Sequence, residues 1–281
     1  MKMRNRLIIL AAFLIGATTV KAETTDVKEL ERPVIGYYNF EIGKKSVVST
    51  YVSPLKYEGT NMALSGYWTK SLPMNPEHLA MSFEGNINLG SYLNEAKTAR
   101  EMDLHAFVSW GLEWQKRLPN RFIIGGGGVV GLGGGAFYLT RNGNNPVSAD
   151  FTFGLGLTAS AGWHTTIGRL PILINDRARM PLVNGFFMPQ YGETYYEIYL
   201  GDRRGLAHAG WWGNHFALDN LLSVSLDFGK TAMQIGYRFS MQSTTANLLV
   251  TNTFNNAFVI GVVPGGLGLK KKRHDIITPL Y

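Results

Sequence analysis

EMDLHAFVSWGLEWQ, residues 101–115, alternates between apolar and polar residues with a period of two. The even positions are all apolar, and most odd positions are polar or charged. Successive side chains of a β-strand point to opposite faces, whereas a helix repeats every 3.6 residues. The stretch therefore predicts a strand with one apolar face and one polar face. The apolar face consists of Met102, Leu104, Ala106, Val108, Trp110, Leu112 and Trp114.

The same alternation returns along most of the chain, and it predicts about twelve strands. Several of these runs extend over roughly nine to thirteen residues, which is long for a soluble sandwich and suits a tilted strand that crosses a membrane. The glycine-rich run 121–139 lacks the order of a phosphate-binding loop and is interpreted as a strand. The predicted spans are 46–55, 60–70, 78–90, 102–115, 121–139, 147–164, 168–176, 180–188, 205–213, 219–228, 231–243 and 253–263.

These features predict an all-β fold, a single antiparallel transmembrane β-barrel of the outer-membrane type. Tryptophans lie near the ends of the apolar faces, at Trp68, Trp110, Trp114 and Trp163, where interface girdles occur. On such a barrel the other faces line the lumen. The predicted lumen-lining residues are Glu84, Asp103, His105, Glu113, Asp150, His164, Asp227 and Arg238.

The N-terminus has the pattern of a secretory signal peptide, with a basic start, an apolar run at 7–16 and small residues before a cut after Ala22. We expect a cleaved signal peptide at 1–22, a polar lead-in at 23–33, the barrel at 34–263 and a basic tail at 264–281. Without Lys2, Arg4, Arg6 and Lys21, the 27 basic residues fall to 23 against 20 acidic ones, so the net charge is +3 and is no argument for nucleic acid binding. The cluster 270–273 is interpreted as a solvated tail, with contact to anionic lipid as the alternative.

Cysteine is absent from the sequence, which excludes disulfides and cysteine-bound metals. No apolar run of 18 residues follows the signal, so helical membrane spans are not expected. We expect no cofactor and no metal. The expected partners are outer-membrane lipid or lipopolysaccharide, the barrel-assembly machinery and a small polar solute, and the expected location is the outer membrane.

Several segments carry a family resemblance: PQYGETYYEIYLG (189–201), the HAGWWGNH region (208–215), and the strands MQIGYRFS (233–240) and FNNAFVIGVV (254–263). Together with STYVSPLKYEG (49–59), they resemble an uncharacterised family of Bacteroidetes outer-membrane proteins, domain of unknown function 3316. The resemblance implies a barrel in the outer membrane and assigns no reaction.

The densest group of polar and aromatic residues lies at 190–216, and two interpretations of it stay open. It is either a loop or plug with aromatics at the headgroup level, or a binding site for a cation or sugar. The spacing of the two histidines matches no metal motif. The candidate binding residues are Tyr191, Glu193, Tyr195, Tyr196, Glu197, His208 and His215.

Three functions follow from these features. The first is a narrow or plugged channel, a solute-binding protein or a structural envelope protein. The second is an outer-membrane hydrolase acting on lipid or lipopolysaccharide, which requires a hydroxyl activated by a histidine. The nearest sequence match, His164 with Thr166, lacks an evident acid, so no catalytic residue is assigned and an enzyme is the less favoured interpretation. The third is a soluble periplasmic β-barrel binding protein.

Overall fold

Eleven strands make up most of the chain in the computed structural model, which describes residues 31–143, 145–269 and 276–280. A five-residue helix, α1 (Tyr195–Tyr199), and a 3₁₀ turn, Pro119–Arg121, lie between strands. The described residues include no helix long and apolar enough to cross a membrane. The strands are β1 (Ile35–Ser49), β2 (Ser53–Ser71), β3 (Leu79–Asn94), β4 (Arg100–Leu118), β5 (Phe122–Leu139), β6 (Val147–Ile167), β7 (Leu170–Phe187), β8 (Ala207–Gly210), β9 (His215–Asp227), β10 (Thr231–Ala246) and β11 (Leu249–Pro264).

Every pairing is antiparallel, and the sheet closes on itself. Consecutive strands pair from β1 to β7, β9 to β11 follow, and β1 pairs with β11 to close the ring. Ten strands form this barrel, and β8 pairs only with β7. The predicted antiparallel barrel is therefore confirmed. Closure pairs the strand edges around the ring, apart from one interruption between β7 and β9, and such pairing is the condition for strands that cross a membrane.

The expected number of about twelve strands is too high by two for the barrel. The predicted strands 168–176 and 180–188 are one strand, β7, which continues through Pro181. The predicted break at 177–179 is absent, because Arg177, Ala178 and Arg179 pair with β6 without interruption. The predicted strand 46–55 is wrong: β1 begins at Ile35 and ends at Ser49, and the turn 50–52 separates it from β2.

The two faces of the wall follow the alternation predicted from the sequence. Leu104 is 54% exposed on the outside, whereas its neighbour Asp103 is 4% exposed inside. The outer face is apolar around the ring, with exposed residues such as Phe40, Leu64 and Ile87. The lumen face holds the buried charged residues. The distribution of apolar and charged residues is therefore the reverse of that in a soluble protein.

The connections define two ends, here called upper and lower. The upper end carries the segments 50–52, 95–99, 140–146, 188–206 and 247–248. The lower end carries 72–78, 119–121, 168–169 and 228–230, together with residues 31–34 and 265–269. The turn at 228–230 is tight because Gly229 takes φ +100° and the Asp227 carboxylate accepts its N–H at 2.8 Å. The predicted hairpin at Gly229 and Lys230 is present.

Candidate functional site

The middle of the lumen is filled by an ion network centred on the buried guanidinium of Arg238. Its Nε lies 3.2 Å from Glu41 of β1, and one terminal nitrogen lies 3.2 Å from Glu84 of β3 and 3.1 Å from Asp219 of β9. A planar guanidinium suits this role because its donors are fixed in a fork. These contacts link opposite walls of the barrel and obstruct any straight path through it.

Two further arginines from β7 complete this central network. A nitrogen of Arg179 lies 3.1 Å from Glu84 and 3.3 Å from the Ser109 hydroxyl, and a nitrogen of Arg177 lies 3.6 Å from Glu84. Both guanidinium groups also lie over rings, Arg177 over Tyr67 at 3.5 Å and Arg179 over Phe107 at 4.0 Å. Three arginines thus face three carboxylates, which balances the charge inside a region that water reaches poorly.

A second cluster lies above the first and is centred on Asp103. This carboxylate pairs with Lys45, accepts a hydrogen bond from the Tyr92 hydroxyl at 2.7 Å and lies 3.4 Å from His105. The other ring nitrogen of His105 lies 3.7 Å from Asp150. The buried Glu101 carboxylate has no hydrogen-bond partner within the described residues.

Apolar layers lie above and below the charged middle of the lumen. The upper layer includes Val47, Tyr57, Tyr92, Phe137 and Leu139. The lower layer includes Ile35, Tyr37, Leu173, Val263 and Leu267. Apolar, charged and apolar clusters therefore follow one another along the barrel axis.

Residues 276–280 close the lower end and are here called the C-terminal segment. Ile276, Ile277 and Thr278 are buried there. The Thr278 carbonyl accepts a hydrogen bond from Arg117 at 3.3 Å, and His164 is hydrogen-bonded to the Leu280 carbonyl. A cavity of about 40 Å³ remains between Leu280 and the lumen wall around Arg177. His164, predicted to line the lumen, therefore holds the segment, whereas the basic cluster 270–273 lies outside the described residues.

The candidate residues of the upper loop, 188–206, are spread over several structural roles. Glu197 and Thr194 form a capping box that starts α1, and the Glu193 carboxylate accepts the Gln190 N–H at 2.9 Å. Tyr191 and Tyr196 are exposed to solvent. The structure therefore does not bring these four predicted binding residues together around one point.

Tyr195 anchors this loop to the barrel. Its hydroxyl accepts the Ala149 N–H at 2.6 Å, and its ring meets Tyr51 edge-on at 5.6 Å. The Tyr51 hydroxyl donates to the Glu193 carbonyl at 2.7 Å. Burial is the main cause that raises the pKa of Tyr195 to about 12. The loop is therefore a cap that packs on the upper rim.

The two remaining candidates, His208 and His215, both stack on the Phe186 ring, with ring centroids 5.2 and 5.5 Å away. His208 is hydrogen-bonded to the Met188 carbonyl at 3.0 Å. His215 of β9 is hydrogen-bonded to the Thr244 hydroxyl of β10 at 2.9 Å, and the His215 and Thr244 side chains are buried. The two histidines therefore pack beneath the cap and link neighbouring strands.

The last two predicted lumen residues, Glu113 and Asp227, lie outside both ion clusters. Glu113 contacts the hydroxyl groups of Thr158 and Ser160, each at 3.3 Å. Asp227 is fully buried at the lower end, where it accepts the N–H groups of Gly229 and Leu269. Within the described part of the chain, no group of three or more His, Asp or Glu residues is arranged to hold a metal ion.

Sequence reasoning missed five residues of the two ion clusters: Glu41, Lys45, Arg177, Arg179 and Asp219. Glu41 and Lys45 share one parity of β1, but the first predicted strand began at 46. On β7 charged residues fall on adjacent positions, at Asp176 and Arg177, so the period of two was hidden there. Extending the parity of Glu41 and Lys45 through FEIGKK would have assigned both to the lumen.

The comparisons with known proteins identify a family and a general likeness of fold. The model of a family described as "Protein of unknown function (DUF3316)" matches residues 6–273. No curated protein matches the chain. The transport unit of the autotransporter AIDA-I from Escherichia coli aligns with a TM-score of 0.46 and 8% identity, over 91% of this chain and 97% of that one.

Two further solved barrels are similar at a lower level. The outer membrane protease OmpT from Escherichia coli aligns with a TM-score of 0.41 and 5% identity, over 88% of this chain and 99% of that chain. The translocator domain of the autotransporter NalP from Neisseria meningitidis aligns with a TM-score of 0.39 and 8% identity, over 92% and 93%. None of these likenesses carries an argument about activity.

Proposed function

The chain belongs to the DUF3316 family, and we propose that it is an outer-membrane β-barrel with a closed lumen. In this proposal it acts as a binding or structural protein of the cell envelope and is not an open pore. The observation that carries the proposal is the Arg238 network, which joins β1, β3, β9 and β10 across the lumen. The predicted partners, a lipid surface and the assembly machinery of such barrels, remain part of the proposal.

The membrane location is supported by the outer face of the wall. Large apolar side chains are exposed on every strand of the ring. A soluble protein rarely exposes an apolar patch larger than a few hundred Å², whereas a membrane barrel needs an apolar band about 25 Å tall. The Tyr38 and Trp68 rings meet edge-on at 5.6 Å on this face, as expected for interfacial aromatics.

The closed lumen is supported by five layers in series. An ion that entered from below would meet the C-terminal segment and then the lower apolar layer. It would next have to separate arginines from carboxylates, and breaking a buried ion pair costs about 3–5 kcal/mol. Above the network lie the Asp103 cluster and the upper apolar layer. Loss of any single barrier therefore leaves the others in place.

Planar-bilayer recording on the refolded protein tests the proposal. We expect no steady unit conductance from protein that shows heat-modifiable migration on gels. A chain truncated after residue 269 serves as the matched variant, and we also expect it to be silent because the network remains. Glu193→Ala and Glu197→Ala should have no effect on the current. Steady conductance from the intact protein would overturn the closed-lumen proposal.

A further inference from the structure

The wall of the barrel is interrupted beside β7. Pairing of β7 with β9 ends at Arg179 and Asp219, and pairing with β8 starts at Asn184 and Gly210. The two β7 residues, 179 and 184, are five positions apart, whereas their partners, 219 and 210, are nine positions apart. The partner side therefore has four extra residues, and residues 211–214 form a loop. Residues 180–183 of β7 have no ladder partner on this side. The ladder to β6 is also irregular here, at Leu155 and Gly156.

This interruption is stabilised by side chains. Pro181 has no N–H to donate, and its carbonyl accepts a hydrogen bond from the Trp212 indole. Trp211 and Trp212 are both exposed. A gap in the ladder that is spanned by one side-chain bond opens more easily than a continuous run of backbone hydrogen bonds.

A cavity of about 190 Å³ lies at this gap and reaches both faces of the wall. Its outer lining comes from side chains on the apolar face, including Phe153, Leu155 and Leu218. Its inner lining comes from lumen residues, including Arg179, His215 and Asp219. The cavity therefore joins the apolar exterior to the polar lumen through the side of the barrel.

The inner part of the cavity is lined by polar and charged residues, which include Arg179, Asp219 and Ser240. A hydroxyl group can donate a hydrogen bond to a carboxylate and accept one from a guanidinium. The cavity therefore offers hydrogen-bonding groups on its inner side and apolar side chains on its outer side.

From these observations we propose that the gap between β7 and β9 is a lateral binding site for a single-chain amphiphile with a hydroxylated headgroup, a monoacylglycerol being the simplest example. The headgroup enters the cavity among Arg179, Asp219 and Ser240, while the acyl chain leaves between Leu155 and Leu218 into the hydrocarbon. The volume fits this division, because about 150 Å³ of apolar cavity holds one benzene molecule. The cavity thus holds a headgroup and the first carbons of one chain.

This inference rests on the proposed membrane location, and a photolabelling experiment separates the two. The protein is refolded into phosphatidylcholine vesicles with a monoacylglycerol that carries a diazirine beside its ester group. After irradiation, labelled peptides are mapped by mass spectrometry. The lumen-facing residues Phe107, Ala217 and Ser240 report the cavity, whereas the outward-facing Leu222 and Val224 report hydrocarbon around the barrel.

Labelling of both groups is the expected result. Ala217→Phe should lower labelling of the lumen-facing residues by about tenfold, because its ring fills the cavity. Ala159→Phe, on the exposed outer face of β6, is the matched control and should change nothing. If Ala217→Phe fails the heat-modifiability test, Ser240→Leu replaces it as the filling variant.

Three outcomes would contradict parts of the proposal. Labels confined to Leu222 and Val224 would place the barrel in the membrane and overturn the lateral site. No label on either group would overturn the membrane location itself. Equal labelling of the cavity by a methyl ester of the same chain, which has no hydroxyl donor, would overturn the headgroup assignment.

Discussion

The central network and the gap in the wall share two residues, Arg179 and Asp219, yet the two regions differ in how completely their polar groups are paired. In the network every arginine has a carboxylate partner. At the gap, the buried Asn184 Oδ1 has no hydrogen-bond partner within the described residues, and residues 180–183 of β7 have no ladder partner on the side of β9. Paired charges in the network make a rigid barrier. At the gap, the missing ladder leaves space and hydrogen-bonding groups for a ligand. The central network therefore fixes the positions of Arg179 and Asp219, which also line the cavity at the gap.

Replacement of Arg238 by methionine should have the largest effect on stability. It leaves Glu41, Glu84 and Asp219 without their common partner, and we expect a loss of about 3–5 kcal/mol in the free energy of unfolding. Urea titration of the protein in lipid vesicles measures it. Arg204→Met is the control, since the Arg204 pair with Asp202 is exposed to solvent and should contribute little to stability. Similar losses for the two variants would mean that the network is not a barrier of paired charges.

An arginine placed on the outer face should distinguish the gap from the rest of the wall. We expect Leu64→Arg to cost about 2–4 kcal/mol, because Leu64 lies in the exposed apolar belt. Leu218→Arg should cost at least about 1 kcal/mol less, since its long side chain can reach the polar cavity through the gap. The same unfolding titration reports both. Equal costs would show that the cavity does not communicate with the outer face.

Loss of the bond that spans the gap should have a smaller effect. Trp212→Phe removes the donor to Pro181, and we expect a cost of about 0.5–1.5 kcal/mol, with faster hydrogen exchange at residues 183–187. Trp211→Phe is the matched control because Trp211 is 64% exposed. If exchange is unchanged in Trp212→Phe, the gap is held by other contacts.

The cap over the upper end should show the smallest effect, and only at high pH. Because the folded-state pKa of Tyr195 is raised to about 12, its stabilising contribution is complete below about pH 10, the ordinary tyrosine value, and is lost as the pH rises toward 12. The absorbance difference between the protein and Tyr195→Phe should show one phenolate that titrates near pH 12. A difference that titrates near pH 10 would mean that Tyr195 does not anchor the loop.

The face on which each wall residue lies could largely be predicted from the sequence, because successive side chains of a strand alternate between the two faces. The alternation in 101–115 assigned Leu104 to the outside and Asp103 to the lumen, and the structure places both there. The identity of ion-pair partners could not be predicted in this way. Arg238 and Glu84 are 154 residues apart, and only closure of the ring brings them together.

The gap and the C-terminal segment were missed for related reasons. The sequence predicted two strands, 168–176 and 180–188, whereas β7 is continuous and the interruption lies on the partner side at 211–214. The tail after Pro264 has no alternation, so nothing local showed that Ile276 and Ile277 return to the lower end. Both features depend on contacts between distant parts of the chain.

The contacts of Glu84 with Arg177, Arg179 and Arg238 have a consequence for how relatives of this chain can diverge. A single substitution at one of these four residues leaves a buried charge without a partner. Tolerated substitutions must therefore occur together, at positions on β3, β7 and β10. We expect these positions to covary across the family, whereas positions on the apolar outer face should exchange independently among apolar residues. Coordinated substitution at distant positions would then be the evolutionary signature of a lumen that is kept shut.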